Sequence, residues 1–318
     1  LYTFRGGIKT IIWTDTLQTF SMITAVVVSI LLITRSMDLS LGEMIGRVVS
    51  GTDSDIWVFD GWQKENHFFK HFLGGAFITI VMTGLDQDMM QKNLSCKNIK
   101  EAKKNMYLMS ISLVPVNLVF LFLGAVLIQF AMFKGMAIPE TTDNFFPMVA
   151  TGGYLPQVVG VIFIVGLVAA AYSSADSALT ALTTSFTVDI LEAQKWDEQR
   201  LTRTRRWVHL AISAVLGLVI MLFRLINDES VISAIFTVAG YTYGPLLGLY
   251  AFGLFTHLQV RDRLVPLLAI LSPVFTFLLS RFSEIIFNGY KFGFELLIVN
   301  GAIMFLALLL TSRKTAKT

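Results

Sequence analysis

Apolar residues run along this chain in long blocks separated by short polar ones. Eight blocks stand out, at 8–33, 68–85, 106–133, 155–190, 207–223, 231–256, 264–282 and 294–311. Most match the ~20 apolar residues a helix needs to cross a bilayer. The pattern predicts an all-α, polytopic membrane bundle of about eight helices. The fourth block is much longer than a bilayer requires, so it is expected to tilt, kink or protrude. The second is short and carries Gly74-Gly75 and Gly84. Such interruptions either break a helix and expose backbone to a substrate or let neighbouring helices pack closely; both readings stand.

The polar blocks set an orientation. Arg5 and Lys9, then Lys92, Lys97, Lys100, Lys103 and Lys104, then Lys195, Arg200, Arg203, Arg205 and Arg206, and the basic tail all fall on one side of the alternating spans. Positive loops stay in the cytoplasm, so a cytoplasmic-membrane protein is expected with both chain ends inside. The long loop 34–67 lies outside and carries Asp38, Glu43, Asp53, Asp55, Asp60 and Glu65. It reads as a solvated acidic loop, or as a vestibule that attracts cations. The second outer loop, 134–154, contains Pro139, Pro147 and Gly152-Gly153 and suits a short re-entrant or lid helix. Leu1-Tyr2-Thr3-Phe4 reads like the end of an earlier apolar helix, which suggests a fragment of a larger protein.

Composition narrows the function. Of 318 residues, 54% are hydrophobic and 15% charged, where a soluble domain is nearer a quarter charged. A net charge of +3 gives no electrostatic support for nucleic-acid binding. One cysteine, Cys96, excludes an internal disulfide. No nucleophile elbow, zinc-protease motif, phosphate loop or metal-spaced Cys/His cluster occurs, so no enzyme is indicated. His67, His71, His209 and His257 lie near predicted membrane edges and read as interfacial residues.

Chemistry concentrates in the fourth block. On a helix, Ser173, Asp176, Ser177, Thr180, Thr184 and Thr187 recur every three or four residues and share a face. A charge at mid-membrane costs about 2.5–3.5 kcal/mol on insertion scales. A carboxylate kept there among hydroxyls suits a hard cation such as Na+, which prefers oxygen ligands. Ser173, Ser174 and Asp176 are read as ion ligands, and the later threonines as interhelical hydrogen-bonding groups. Asp15 is the second buried-carboxylate candidate. It lies about two turns into the first span, too deep for the helix dipole to explain, and reads as lining an inner ion path. The segment from Asp86 to Leu94 closes the second span and is either a solvated loop or an inner gate that caps helix ends.

Three motifs resemble the sodium:solute symporter family. Gly6-Gly7 followed by Trp13-Thr14-Asp15 is similar to its entry to the fifth core helix. Asp86-Gln87 with Gln91-Lys92-x-Leu94-x-x-Lys97 is similar to its inner loop, with Lys92 in place of arginine. Ser173-Ser174 with Phe186-Thr187-x-Asp189-Ile190 is similar to its eighth core helix. The likeness runs from Leu1 to about residue 256. It implies two inverted five-helix repeats, with this chain supplying the last helix of the first (about 6–34), the second repeat (about 68–256) and two extra helices (about 264–311). The earlier core helices would be partners from the same protein.

By the same resemblance, the Ala170 carbonyl and the Ser173 and Ser174 hydroxyls would form one side of the main sodium site. Asp15, Ser173, Asp176 and Ser177 would form the additional site some members build, with Asp176 where some carry serine. Met82 and Thr237 fall where sugar transporters place a stacking aromatic and a glutamine, which disfavours a sugar; Met82, Thr83, Thr237 and Tyr241 would line the solute pocket. The expected function is Na+-coupled symport of a small organic solute or anion. Proton-coupled transport, or a membrane sensor or channel built on the same helices, is the alternative.

Overall fold

The computed structural model describes residues 7–51, 57–226 and 230–313. At 7–14, 87, 88, 91, 92, 194 and 226 it describes the backbone alone. The Leu1–Phe4 stretch and Gly6 therefore lie outside the described residues, as do the side chains of Trp13, Thr14, Gln91 and Lys92.

Every predicted span becomes helix. The order is α1 (Gly7–Ser36), α2 (Leu41–Ser50), α3 (Phe68–Gly84), α4 (Gln87–Leu94), α5 (Ile99–Lys134), α6 (Phe145–Thr151), α7 (Gln157–Ser185), α8 (Glu198–Ile226), α9 (Val231–Phe255), α10 (Val265–Arg281), α11 (Ser283–Ile286) and α12 (Leu296–Thr311). Five are long and apolar enough to cross a membrane, and α3, α10 and α12 are shorter apolar helices. α5 and α8 begin seven to nine residues before their apolar blocks, because the lysines and arginines there are good helix formers outside the apolar layer. The long fourth block ends in a π-helical turn at Phe186–Ile190. Between α5 and α7 a short helix, α6, forms. The acidic segment after α1 is not simply a loop: Ser40 and Glu43 form a reciprocal capping box that starts α2.

The helices divide into two compact units, each assembled from two stretches of chain. The first holds α1, α2 and α5–α8. Its core joins Ala25, Val26, Ile30 and Ile33 of α1, Val126 and Phe130 of α5, Val149 of α6 and Val159 of α7. Met44 of α2 is fully buried in the same cluster. Gly166 lies against Met22, where an added Cβ would meet its sulfur at 3.1 Å. Together with a polar contact between Asp15 and Ser173, this makes α1 and α7 antiparallel, with paired positions seven residues, about 10 Å, apart.

The second unit holds α3 and α9–α12. α9 and α12 run parallel and very close: Gly244 faces Asn300, and Gly248 faces Gly301 and Met304. α3 is unbroken, and Gly74 serves close packing. A Cβ there would sit 2.6 Å from the Phe294 backbone carbon. At the start of α3, Lys70 is 1% exposed. Its ammonium donates to the Lys291 carbonyl at 2.7 Å, lies 3.6 Å from the centre of the Tyr290 ring and pairs with Glu295 at 3.9 Å. Glu295 also accepts from Tyr290 Oη (2.9 Å) and the Gly293 amide (3.1 Å). Burial and the carboxylate beside it push the Tyr290 phenol well above the ordinary tyrosine range, so it stays a donor. His67, read as an interfacial residue, is buried. It caps α3 through the Phe69 amide and bonds the Phe59 carbonyl at 3.0 Å.

Candidate functional site

The oxygen-rich stripe of α7 is the centre of the candidate site. α7 is apolar over its first half, then carries Ser173, Ser174, Asp176 and Ser177 in one turn. Ser173 is 5% exposed, Asp176 9% and Ser177 4%. Burying three such groups costs several kcal/mol unless each finds a partner. Ser173 finds one on α1: its Oγ donates to Oδ1 of Asp15, 158 residues away. Asp15 is half-buried and its carbonyl accepts from Thr19 Oγ1 at 2.8 Å. Two helices thus place a carboxylate and a hydroxyl within one coordination shell.

The other predicted ligands fall around this contact in different ways. Ala170 is half-buried and Ser174 exposed within the described chain, so one edge of the stripe is open. The electrostatic neighbour of Asp176 is His209 of α8. The His209 ring lies in the α7–α8 contact, where Nδ1 is 3.3 Å from Thr183 Oγ1. Farther along, the Thr184 and Thr187 hydroxyls donate back to the Thr180 and Thr183 carbonyls, the self-satisfied state of a membrane-helix threonine. Among the described residues no three of His, Cys, Asp and Glu converge as for a transition metal. The donor set is oxygen alone, which suits a hard cation.

The predicted solute-lining residues lie in the second unit. Met82 packs with Ile78, Val81, Leu247 and Leu297. The Thr83 hydroxyl donates to the Thr79 carbonyl. Thr237 and Tyr241 are one turn apart on α9; Thr237 is exposed, and the Tyr241 ring meets Phe277 of α10 at 6.1 Å. Asp86 caps α4 through the Met89 amide and accepts from Tyr243 of α9 at 3.3 Å. Capping of helix ends is thus what this acidic position does. The residue that sequence reasoning missed is Asn300, fully buried on α12 and bonded to two α9 carbonyls. Its signal was an amide alone in an apolar run.

The described helices thus form a polytopic apolar bundle with a part-buried carboxylate–hydroxyl contact between two of its helices. The chain belongs to the sodium:solute symporter family, whose model matches residues 1–259. It is similar to the sodium/sialic acid symporter NanT of Aliivibrio fischeri, 26% identical over 81% of this chain and 52% of that protein. It is also similar to sodium-coupled monocarboxylate transporter 1 of Mus musculus (24%, covering 80% and 42%) and to the sodium/sialic acid symporter SiaT of Proteus mirabilis (24%, covering 80% and 52%). The chain spans about half the length of these curated relatives, or somewhat less.

Proposed function

We propose that the full-length protein is a Na+-coupled secondary symporter that carries a small carboxylate-bearing solute through the cytoplasmic membrane by alternating access. The observation that supports it most is the Asp15–Ser173 contact between α1 and α7. The names of the relatives, sialic acid and monocarboxylate transporters, support the solute class. In this reading Asp15, Ser173, Asp176 and Ser177 hold one Na+. The Ala170 carbonyl with Ser173 and Ser174 holds another, completed by core helices that precede α1 in the inverted-repeat arrangement. Met82, Thr83, Thr237 and Tyr241 line the solute path, and both ends of the chain face the cytoplasm.

The energetics suffice. One elementary charge moving through 100 mV is worth about 2.3 kcal/mol, and a tenfold sodium gradient adds about 1.4 kcal/mol. A single Na+ then drives roughly several-hundredfold accumulation of a neutral solute, and an anionic solute needs a second ion to do as well. The second reading is proton coupling in place of one Na+ on the same helices. Proteoliposomes of the full-length protein separate the two. Uptake of radiolabelled lactate and N-acetylneuraminate is expected under an inward Na+ gradient and not under choline. Uptake driven by an inward proton gradient without sodium would replace the first reading with the second, and uptake indifferent to both would overturn symport.

A further inference from the structure

Pro245 stands inside α9, which remains helical through it. Proline has no N–H, so the carbonyl four residues earlier, that of Tyr241, loses its helical donor. In a bilayer such a carbonyl must be satisfied by a neighbour. Asn300 of α12 supplies the donor: its Nδ2 lies 2.9 Å from the Tyr241 carbonyl and 3.0 Å from that of Gly240. Its Oδ1 accepts from Ser272 Oγ of α10 at 2.6 Å. The amide is 0% exposed, so it is both fully enclosed and fully bonded. Gly244 makes the approach possible, since a Cβ there would fall 2.3 Å from Asn300 Cγ and Nδ2. Three helices and a glycine therefore converge on the backbone position that Pro245 leaves open in α9.

Thr237 and Tyr241 stand on the turn of α9 that this amide holds. We infer that Asn300 is a positioning residue for the solute-lining stretch of α9: it replaces the donor missing at Pro245 and sets the direction in which Thr237 and Tyr241 are presented. The inference rests on the reading that these two residues line the solute path. Both Asn300 and Ser272 lie beyond residue 259, outside the segment the family model matches, so the device belongs to the two helices that follow the matched core. A general packing amide would have no reason to seek the i−4 carbonyl of a proline, nor to face a glycine.

The test uses the full-length protein in a cysteine-free background with T237C as reporter. The rate of modification by a membrane-impermeant maleimide is read in sodium and in choline. N300A, and N300L, which fills the space without a donor, are expected to change the rate at 237 roughly fivefold to tenfold, the effect of two average interhelical hydrogen bonds in a membrane. N300A/P245A is expected to return toward the parental rate, because alanine at 245 restores the N–H that the Tyr241 carbonyl lacks. A cavity or stability effect would not be rescued in this way. Parental rates in N300A and N300L, or a double variant no closer to the parent than N300A, would overturn the inference. The sodium response of T237C alone is scored separately: its absence would count against symport while the N300A and P245A comparison still decides the role of Asn300.

Discussion

Replacing Lys70 with methionine tests how the second unit holds its end together. The ammonium lost by K70M makes a 2.7 Å bond to the Lys291 carbonyl, sits 3.6 Å over the Tyr290 ring and stands 3.9 Å from Glu295. Breaking a buried pair by removing one partner costs ~3–5 kcal/mol. Here the remaining partner is better placed than usual: Glu295 is 12% exposed in its side chain and keeps bonds from Tyr290 Oη and the Gly293 amide. Methionine also refills most of the apolar stem. A loss of about 2–3 kcal/mol is therefore expected, at the lower edge of the buried-pair range. E295Q alone leaves Lys70 charged in a closed site and is expected to cost a similar amount. K70M/E295Q removes both charges and is expected to cost at least ~1 kcal/mol less than the sum of the single variants, the coupling a direct contact gives. Equilibrium unfolding of the full-length protein in mixed micelles measures all three. A K70M protein within ~0.5 kcal/mol of the parent, or additive losses in the pair, would refute the reasoning, since surface lysines behave that way.

Two neighbouring glycines offer a paired test. At Gly74 an added Cβ meets the Phe294 backbone at 2.6 Å and the Glu295 nitrogen at 2.8 Å, so G74A should cost ~1–3 kcal/mol by overpacking. At Gly75 nothing lies within 4 Å, and G75A should be neutral or stabilising by up to about 1 kcal/mol through helix propensity; equal effects in the same unfolding assay would sink the packing account. For α2, the backbone and side-chain hydrogen bonds from Ser40 hold the Glu43 carboxyl below the ordinary 4.5. A depressed folded-state pKa gives stability that is present above the unfolded value and lost as pH falls through the folded one. Hydrogen-exchange protection across Leu41–Ser50 should therefore hold above about pH 4.5 and decline below it, and should not change with pH in E43Q; a decline in E43Q as steep as in the parent would contradict the capping box.

The hydropathy pattern carried the spans because a bilayer-crossing helix must be apolar along its length, whatever it packs against. It did not carry the starts of α5 and α8, since Lys100–Lys104 and Arg200–Arg206 continue the backbone hydrogen bonding outside the apolar layer. α2 was legible in principle from Ser40-x-x-Glu43, but the surrounding acidic residues read more loudly as solvated loop. Asp15 and Ser173 were each recognisable from the cost of burying them. That they touch depends on how α1 packs on α7, which spacing along the chain does not encode. Lys70 carried no signal in the sequence, because its burial is produced by the segment around Tyr290 and Glu295, more than 200 residues away. Asn300 was the least legible, since its partners are backbone carbonyls and any sequence presents those.

Sodium-specific stabilisation of the full-length protein tests the central claim most directly. An ion that binds only the folded state raises its stability by RT ln(1 + [L]/Kd), about 1.4 kcal/mol when sodium is tenfold above Kd. A melting-temperature rise in sodium over equimolar choline is expected in the parent, reduced in S174A and in D15N, each of which removes a ligand of one site, and abolished in S173A, whose hydroxyl serves both and meets Asp15 across α1 and α7. An equal rise in choline, or a full sodium-specific rise retained in S173A, would contradict an ion held at this contact.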